Sequence, residues 1–73
     1  MAHRDPKKLF GQKIRDLRIA QGLSQEKLAE MADVHRNYVG MIERGQKNVG
    51  LTSIVKLAHA LSKKPSFLLD TIP

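Results

Sequence analysis

At 73 residues with 41% hydrophobic side chains, the chain is expected to form one domain with one small core and no second site-bearing domain, because a chain this short buries only about 60% of its unfolded surface. Thirteen Lys and Arg against seven Asp and Glu give a formal charge of +6 and a pI near 10.1, which suits a polyanionic partner. Cysteine is absent, so neither disulfides nor thiolate metal sites brace the fold, which must rest on helix packing.

The N-terminal run Met-Ala-His-Arg-Asp-Pro-Lys-Lys lacks the apolar stretch of a signal peptide, and the longest apolar runs span only a few residues. A cytoplasmic protein with no membrane partner is therefore expected. Residues 1 to about 5 read as a basic arm. Asp5 followed by Pro6 is an N-cap with proline at the first helical position, and Phe10, Ile14 and Leu17 recur at i, i+4 and i+7, predicting a first helix from about Pro6 to about Gln21. Gly22 suits a helix end and Ser24 a helix start, so a second helix is predicted over about 25–32, with Leu28, Ala29 and Ala32 on one side. Val34 follows as an apolar plug in the turn.

A third helix is predicted over about 36–44, closed by Gly45. Val39 and Ile42 share one face, while Arg36, Asn37, Gly40, Met41 and Arg44 lie mostly around the other. Two short helices joined by a tight turn, the second with a polar outward face, have the shape of a DNA-reading helix-turn-helix spanning about 25–45. Gln46–Gly50 is a polar loop, after which Leu51, Ile54, Leu57, Ala58 and Leu61 form another helical stripe. Ser62-Lys63-Lys64 ends it, and Pro65 opens a last short helix. The tail residues Phe67, Leu68, Leu69 and Ile72 are too apolar to be free, and either complete the core or touch a second copy. The expected architecture is all-α, with five helices and no strand, as a single domain over 1–73.

From about Phe10 to Leu69 the chain resembles the lambda repressor/Cro-like (XRE) helix-turn-helix family. The resemblance rests on an ordered set: Ile14-Arg-Asp-Leu-Arg18, Gly22-Leu-Ser-Gln-Glu-Lys-Leu-Ala29, Ile42-Glu-Arg-Gly45 and Leu57-Ala-His-Ala-Leu61. Within the family, the run from His35 to Asn48 is most similar to the controller proteins of restriction–modification systems. The fold implied is a compact five-helix lambda-repressor-like DNA-binding domain.

The same resemblance implies roles for individual residues. Gln25 matches a glutamine that touches the sugar-phosphate backbone, at a helix N-terminus that already offers free N–H donors. Arg36 and Asn37 match base-reading positions, where arginine can pair bidentately with guanine and asparagine with adenine. Tyr38 either leans on the DNA or seals the edge of the core. Gly40 is costly inside a helix, by about 1 kcal/mol relative to alanine, which a close approach to DNA or to a neighbouring helix would explain. Met41 aligns with a base-facing position but lacks a hydrogen-bonding tip, leaving an apolar contact or packing. Arg44, Lys47 and Asn48, with Ser53 near the start of the fourth helix, match phosphate-holding positions that set register without reading sequence. His35 stands in a cap position usually held by serine or threonine, where it caps, contacts phosphate or does neither. Arg18 and Glu43 match an interhelical arginine–glutamate pair whose role is structural.

Two positions depart from the family pattern. Asp33 stands where glycine commonly adopts left-handed geometry, and Gly50 where serine or proline often starts the fourth helix. The histidines at 3, 35 and 59 have no paired i, i+4 spacing and no cysteine nearby, so no metal, cofactor or small-molecule ligand is expected, and no catalytic motif is visible. The resulting expectation is a sequence-specific transcriptional regulator that binds double-stranded DNA as a homodimer, encoded by a bacterium or phage and nucleoid-associated when bound. The alternatives are an antitoxin using the same domain, or a protein-interaction module whose basic face is incidental.

Overall fold

A computed structural model describes residues 5–73; apart from Asp5, the expected basic arm lies outside the described residues. Five helices run in order: α1 (Pro6–Ala20), α2 (Gln25–Ala32), α3 (Arg36–Glu43), α4 (Leu51–Ala60) and α5 (Pro65–Leu68). Among the described residues there is no strand and no helix long and apolar enough to cross a membrane.

Side chains start the first three helices. Asp5 accepts from the Lys7 N–H at 2.9 Å, and Ser24 Oγ from the Lys27 N–H at 2.9 Å, each satisfying a backbone donor that the helix itself leaves open. His35 takes the capping option: its Nδ1 accepts from the Asn37 N–H at 3.1 Å. Gly50 precedes α4 without a side-chain cap. The ends of α1 to α4 share one device, a bond from an N–H to the carbonyl five residues back, seen for Leu23 to Arg18, Val34 to Ala29, Gln46 to Met41 and Lys63 to Ala58 at 2.9–3.0 Å. It needs a left-handed residue in each turn. Gly22 and Gly45 supply it freely, whereas Asp33 and Ser62 adopt φ of 56° and 57° against the usual preference of L-residues. Compared with the sequence-based boundaries, Gln21 and Arg44 serve as C-caps rather than helical residues, a one-residue difference typical of helix ends.

The core is drawn from all five helices: Phe10 and Ile14 from α1, Leu28, Ala29 and Ala32 from α2, Val39 and Ile42 from α3, Leu57 and Ala58 from α4, Leu61 just after it, and Leu68 from α5. Val34 packs against this cluster from the turn. Leu51, by contrast, is 75% exposed although it begins the apolar stripe of α4. The apolar tail also divides. Leu68 is fully buried and takes the first of the two places open to the tail, as a core residue of its own chain rather than an interface residue. Ile72 is partly buried against the core, while Phe67 and Leu69 remain exposed. Lys13 pins this end to α1, bonding Asp70 at 2.9 Å with its Nζ 4.2 Å from the centre of the Phe67 ring.

Helix α1 comes close to the backbone of α3 at Gly11, which is buried. A Cβ placed there would collide with the Ile42 carbonyl oxygen and lie 3.1 Å from Glu43 backbone carbon. Propensity alone makes Gly11→Ala stabilising by about 1 kcal/mol, but the obstructing atoms are backbone and cannot turn aside, so overpacking at about 1–3 kcal/mol wins. Gly11→Ala is therefore expected to lower the urea midpoint. An unchanged or higher midpoint would show that α1 and α3 separate without cost.

Candidate nucleic-acid interface

Glu43, the last residue of α3, is placed by bonds from two other parts of the chain. Arg18 Nε donates to Glu43 Oε2 at 2.7 Å and Arg18 Nη2 to Glu43 Oε1 at 3.0 Å, the two-pronged geometry in which a planar guanidinium fits a carboxylate. Gln25 Nε2 adds a bond to Glu43 Oε1 at 3.1 Å, and Arg18 Nη1 donates to the Leu23 carbonyl at 2.8 Å. The Glu43 side chain is only 2% exposed. Hydrogen bonding to Glu43, followed by its charge, holds the proton of the Arg18 guanidinium more tightly than usual, against an opposing effect of burial. Among the described residues no buried side-chain nitrogen or oxygen lacks a partner, so the charges are compensated where they lie.

With α3 so held, a groove opens between the N-terminus of α2 and the outer face of α3. Gln25 and Glu26 line it from one side, and Arg36, Asn37, Gly40, Met41 and Arg44 from the other. The structure thus brings together six residues singled out in the sequence and adds Glu26. Arg36 and Asn37 are exposed at the start of α3, and Met41 is half-buried. Arg36 Nη1 donates to Glu26 Oε2 at 3.3 Å. Gly40 forms the floor: a Cβ there would lie 3.1 Å from Arg44 Nη1 and 3.5 Å from Gln25 Oε1, so its bareness lets those two side chains cross α3. Gln25 has one amide hydrogen committed to Glu43, leaving the other and its oxygen for the groove.

The remaining candidates lie elsewhere. Tyr38 packs against the core, with Lys47 Nζ 5.9 Å from its ring centre. Arg44, which does line the groove, has its Nε engaged by Gln46 Oε1 at 2.9 Å. Lys47 and Asn48 are exposed in the loop after α3, and Ser53 is half-buried in the first turn of α4; these three are outside the groove. His35 has one ring nitrogen occupied by its cap.

Sequence reasoning passed over Glu26, Gly11 and Gln46. Glu26 reads locally as an acidic first-turn residue favoured by the helix dipole, and its meeting with Arg36 depends on the angle of the turn between them. Gly11 carried a signal, an interior glycine that weakens a helix unless something needs the space.

Comparison with known proteins places the fold in a family. The family model described as helix-turn-helix (HTH_3) matches residues 14–68. Control protein C.BamHI of Bacillus amyloliquefaciens is 51% identical over 63 residues, covering 85% of this chain and 78% of that protein. Control protein C.SmaI of Serratia marcescens is 41% identical over 58 residues, covering 80% and 69%. Among solved structures, the restriction-modification controller protein C.AhdI from Aeromonas hydrophila superposes with a TM-score of 0.83 at 53% identity, covering 85% of this chain and 94% of that one. The fold, the ordered motifs and these matches together establish that this chain belongs to the XRE-like helix-turn-helix family of DNA-binding transcriptional regulators.

Proposed function

We propose that the chain acts in the cytoplasm as a sequence-specific regulator that grips a near-palindromic operator as a symmetric dimer and, like the control proteins it resembles, governs genes of a restriction–modification locus. The observation that carries this reading is the outer face of α3. Arg36 and Asn37 stand exposed at its start, over a polar groove, while Val39 and Ile42 face the core. Such a face suits the major groove, where a guanidinium matches guanine O6 and N7 and a carboxamide matches adenine N6 and N7. Arg44, Lys47, Asn48 and Ser53, with Gln25 and the free Nε2 of His35, are assigned to phosphates, and Tyr38, Gly40 and Met41 to shaping the surface that meets the bases. The work is binding rather than catalysis, carried out by one domain without a cofactor. Two copies would hold their α3 helices about 34 Å apart, one turn of B-DNA.

Phe67 and Leu69, each 38% exposed, with the partly buried Ile72, are assigned to the twofold contact. Selection from random duplexes with the purified chain tests the reading directly, because a dimeric reader recovers paired half-sites at fixed spacing. Recovery of no preferred sequence would leave the interaction-module alternative.

Reading and holding should separate on mutation. Arg36→Ala is expected to cost about 1–3 kcal/mol per half-site on the selected duplex and to flatten preference at one base pair. Lys47→Ala should weaken selected and scrambled duplexes alike and reduce the salt slope by about one. Titrations at several salt concentrations distinguish these outcomes. Equal weakening of both duplexes by Arg36→Ala, with base preference intact, would remove Arg36 as the reader.

The exposed edge of α5 yields a separate expectation. Leu69→Asp should weaken self-association and binding to the selected duplex while leaving helicity intact, as read by sedimentation and circular dichroism. A wild-type chain that stays monomeric at high micromolar concentration, with and without that duplex, would contradict the twofold contact.

A further inference from the structure

Glu26 is an acidic residue on a surface assigned to a polyanion. It is exposed, it lines the groove opposite Arg36, and it sits in the first turn of α2, where the helix dipole favours a carboxylate. Facing phosphates alone it would only repel them. Its partner explains its presence: Oε2 accepts from Arg36 Nη1 at 3.3 Å, between side chains that are 72% and 66% exposed.

We propose that Glu26 is a positioning residue that sets sequence specificity through Arg36. This rests on the reading of Arg36 as a base reader. A guanidinium presents two edges with a pair of donors each, one made by Nη1 and Nη2, the other by Nε and Nη2. With Nη1 engaged by Glu26, the edge left whole is Nε with Nη2, a fork suited to guanine O6 and N7. In water such an exposed pair is weak and screened, so it does not lock the side chain in the free protein. Once DNA displaces solvent from the groove, the same pair strengthens and restrains Arg36 from swinging to the nearest phosphate, an attachment that would carry no sequence information. Glu26 thus gives up affinity for any DNA in exchange for discrimination, a repulsive element built against the wrong partner. The neighbouring charges fit this division: Arg44, the other cation of the groove, is held by Gln46 instead.

The test compares the full-length wild-type chain with Glu26→Ala, Glu26→Gln, Arg36→Ala and the Arg36→Ala/Glu26→Ala double variant, on the selected duplex and on a scrambled duplex of equal composition. Glu26→Ala is expected to tighten binding to the scrambled duplex severalfold, to reduce the selected-to-scrambled ratio by about tenfold, and to flatten preference at the same base pair as Arg36→Ala does. Glu26→Gln, which keeps an acceptor for Nη1 without the charge, should retain part of the ratio that alanine loses. In the double variant, removing Glu26 should reduce the ratio no further than Arg36→Ala alone. Circular dichroism verifies folding of each variant, which the exposed position of Glu26 favours. The proposal is overturned if Glu26→Ala shifts both duplexes by one common factor, if Gln and Ala behave identically as a pure charge effect would require, or if preference changes at a different base pair, as for a carboxylate reading cytosine directly. An Arg36→Ala variant with unaltered base preference also overturns it, and does so by removing the reading of Arg36 itself rather than the coupling to Glu26.

Discussion

Everything that α3 presents to solvent depends on the buried bond between Arg18 and Glu43. An eight-residue helix has little stability of its own, and α3 is no longer than that. Val39 and Ile42 anchor it in the core, but apolar contacts are non-directional and restrain rotation about the helix axis weakly. The Glu43 carboxylate supplies direction, taking both prongs of Arg18 and the amide of Gln25, while the remaining arm of Arg18 reaches the Leu23 carbonyl. Helices α1 and α2 thus meet α3 at one carboxylate, and Arg18 ties the connection between the first two to the same cluster.

A pair of this kind adds little to net stability, because removing two charges from water offsets much of what they gain from each other, yet losing one partner typically costs about 3–5 kcal/mol. Its value here is orientation. Gly11 sets how near α1 and α3 approach, and the ion pair sets which face of α3 turns outward. Gln25 links the two halves of the motif, for the side chain that steadies Glu43 also borders the groove beside Gly40. The exposed residues on the groove are weakly held by comparison: Arg36 and Arg44 have single neighbours, Glu26 and Gln46, that a bound partner can displace or enlist. The proposed reading of bases therefore rests on a rigid frame whose exposed tips a bound partner would still have to order.

Much of this was legible in the sequence because it is local. Asp5 before proline, Ser24 before an apolar stripe, and glycine at 22 and 45 each carry a backbone requirement within a few residues, and the helices begin and end there to within about one position. The groove was legible in part for the same reason, since Arg36, Asn37, Gly40 and Met41 lie on one short helix that Arg44 caps. What escaped is non-local or too short for a period. In four-residue α5 no repeat distinguishes the inward Leu68 from the outward Phe67 and Leu69. Gly11 answers to the carbonyl of Ile42, and Glu26 to Arg36, through tertiary geometry alone. The association of Arg18 with Glu43 came from resemblance to a family, as spacing along the chain could not bring residues on α1 and α3 together.

The most direct test of the central claim is a double-mutant cycle on unfolding free energy, using Arg18→Leu, Glu43→Ala and both together. A bond that fixes α3 predicts a large loss in each single variant, on the order of 3–5 kcal/mol, and recovery of part of it in the double variant, where no lone charge is left buried. Additive losses would mean that the two side chains do not act on each other, and that the orientation of α3 is set elsewhere.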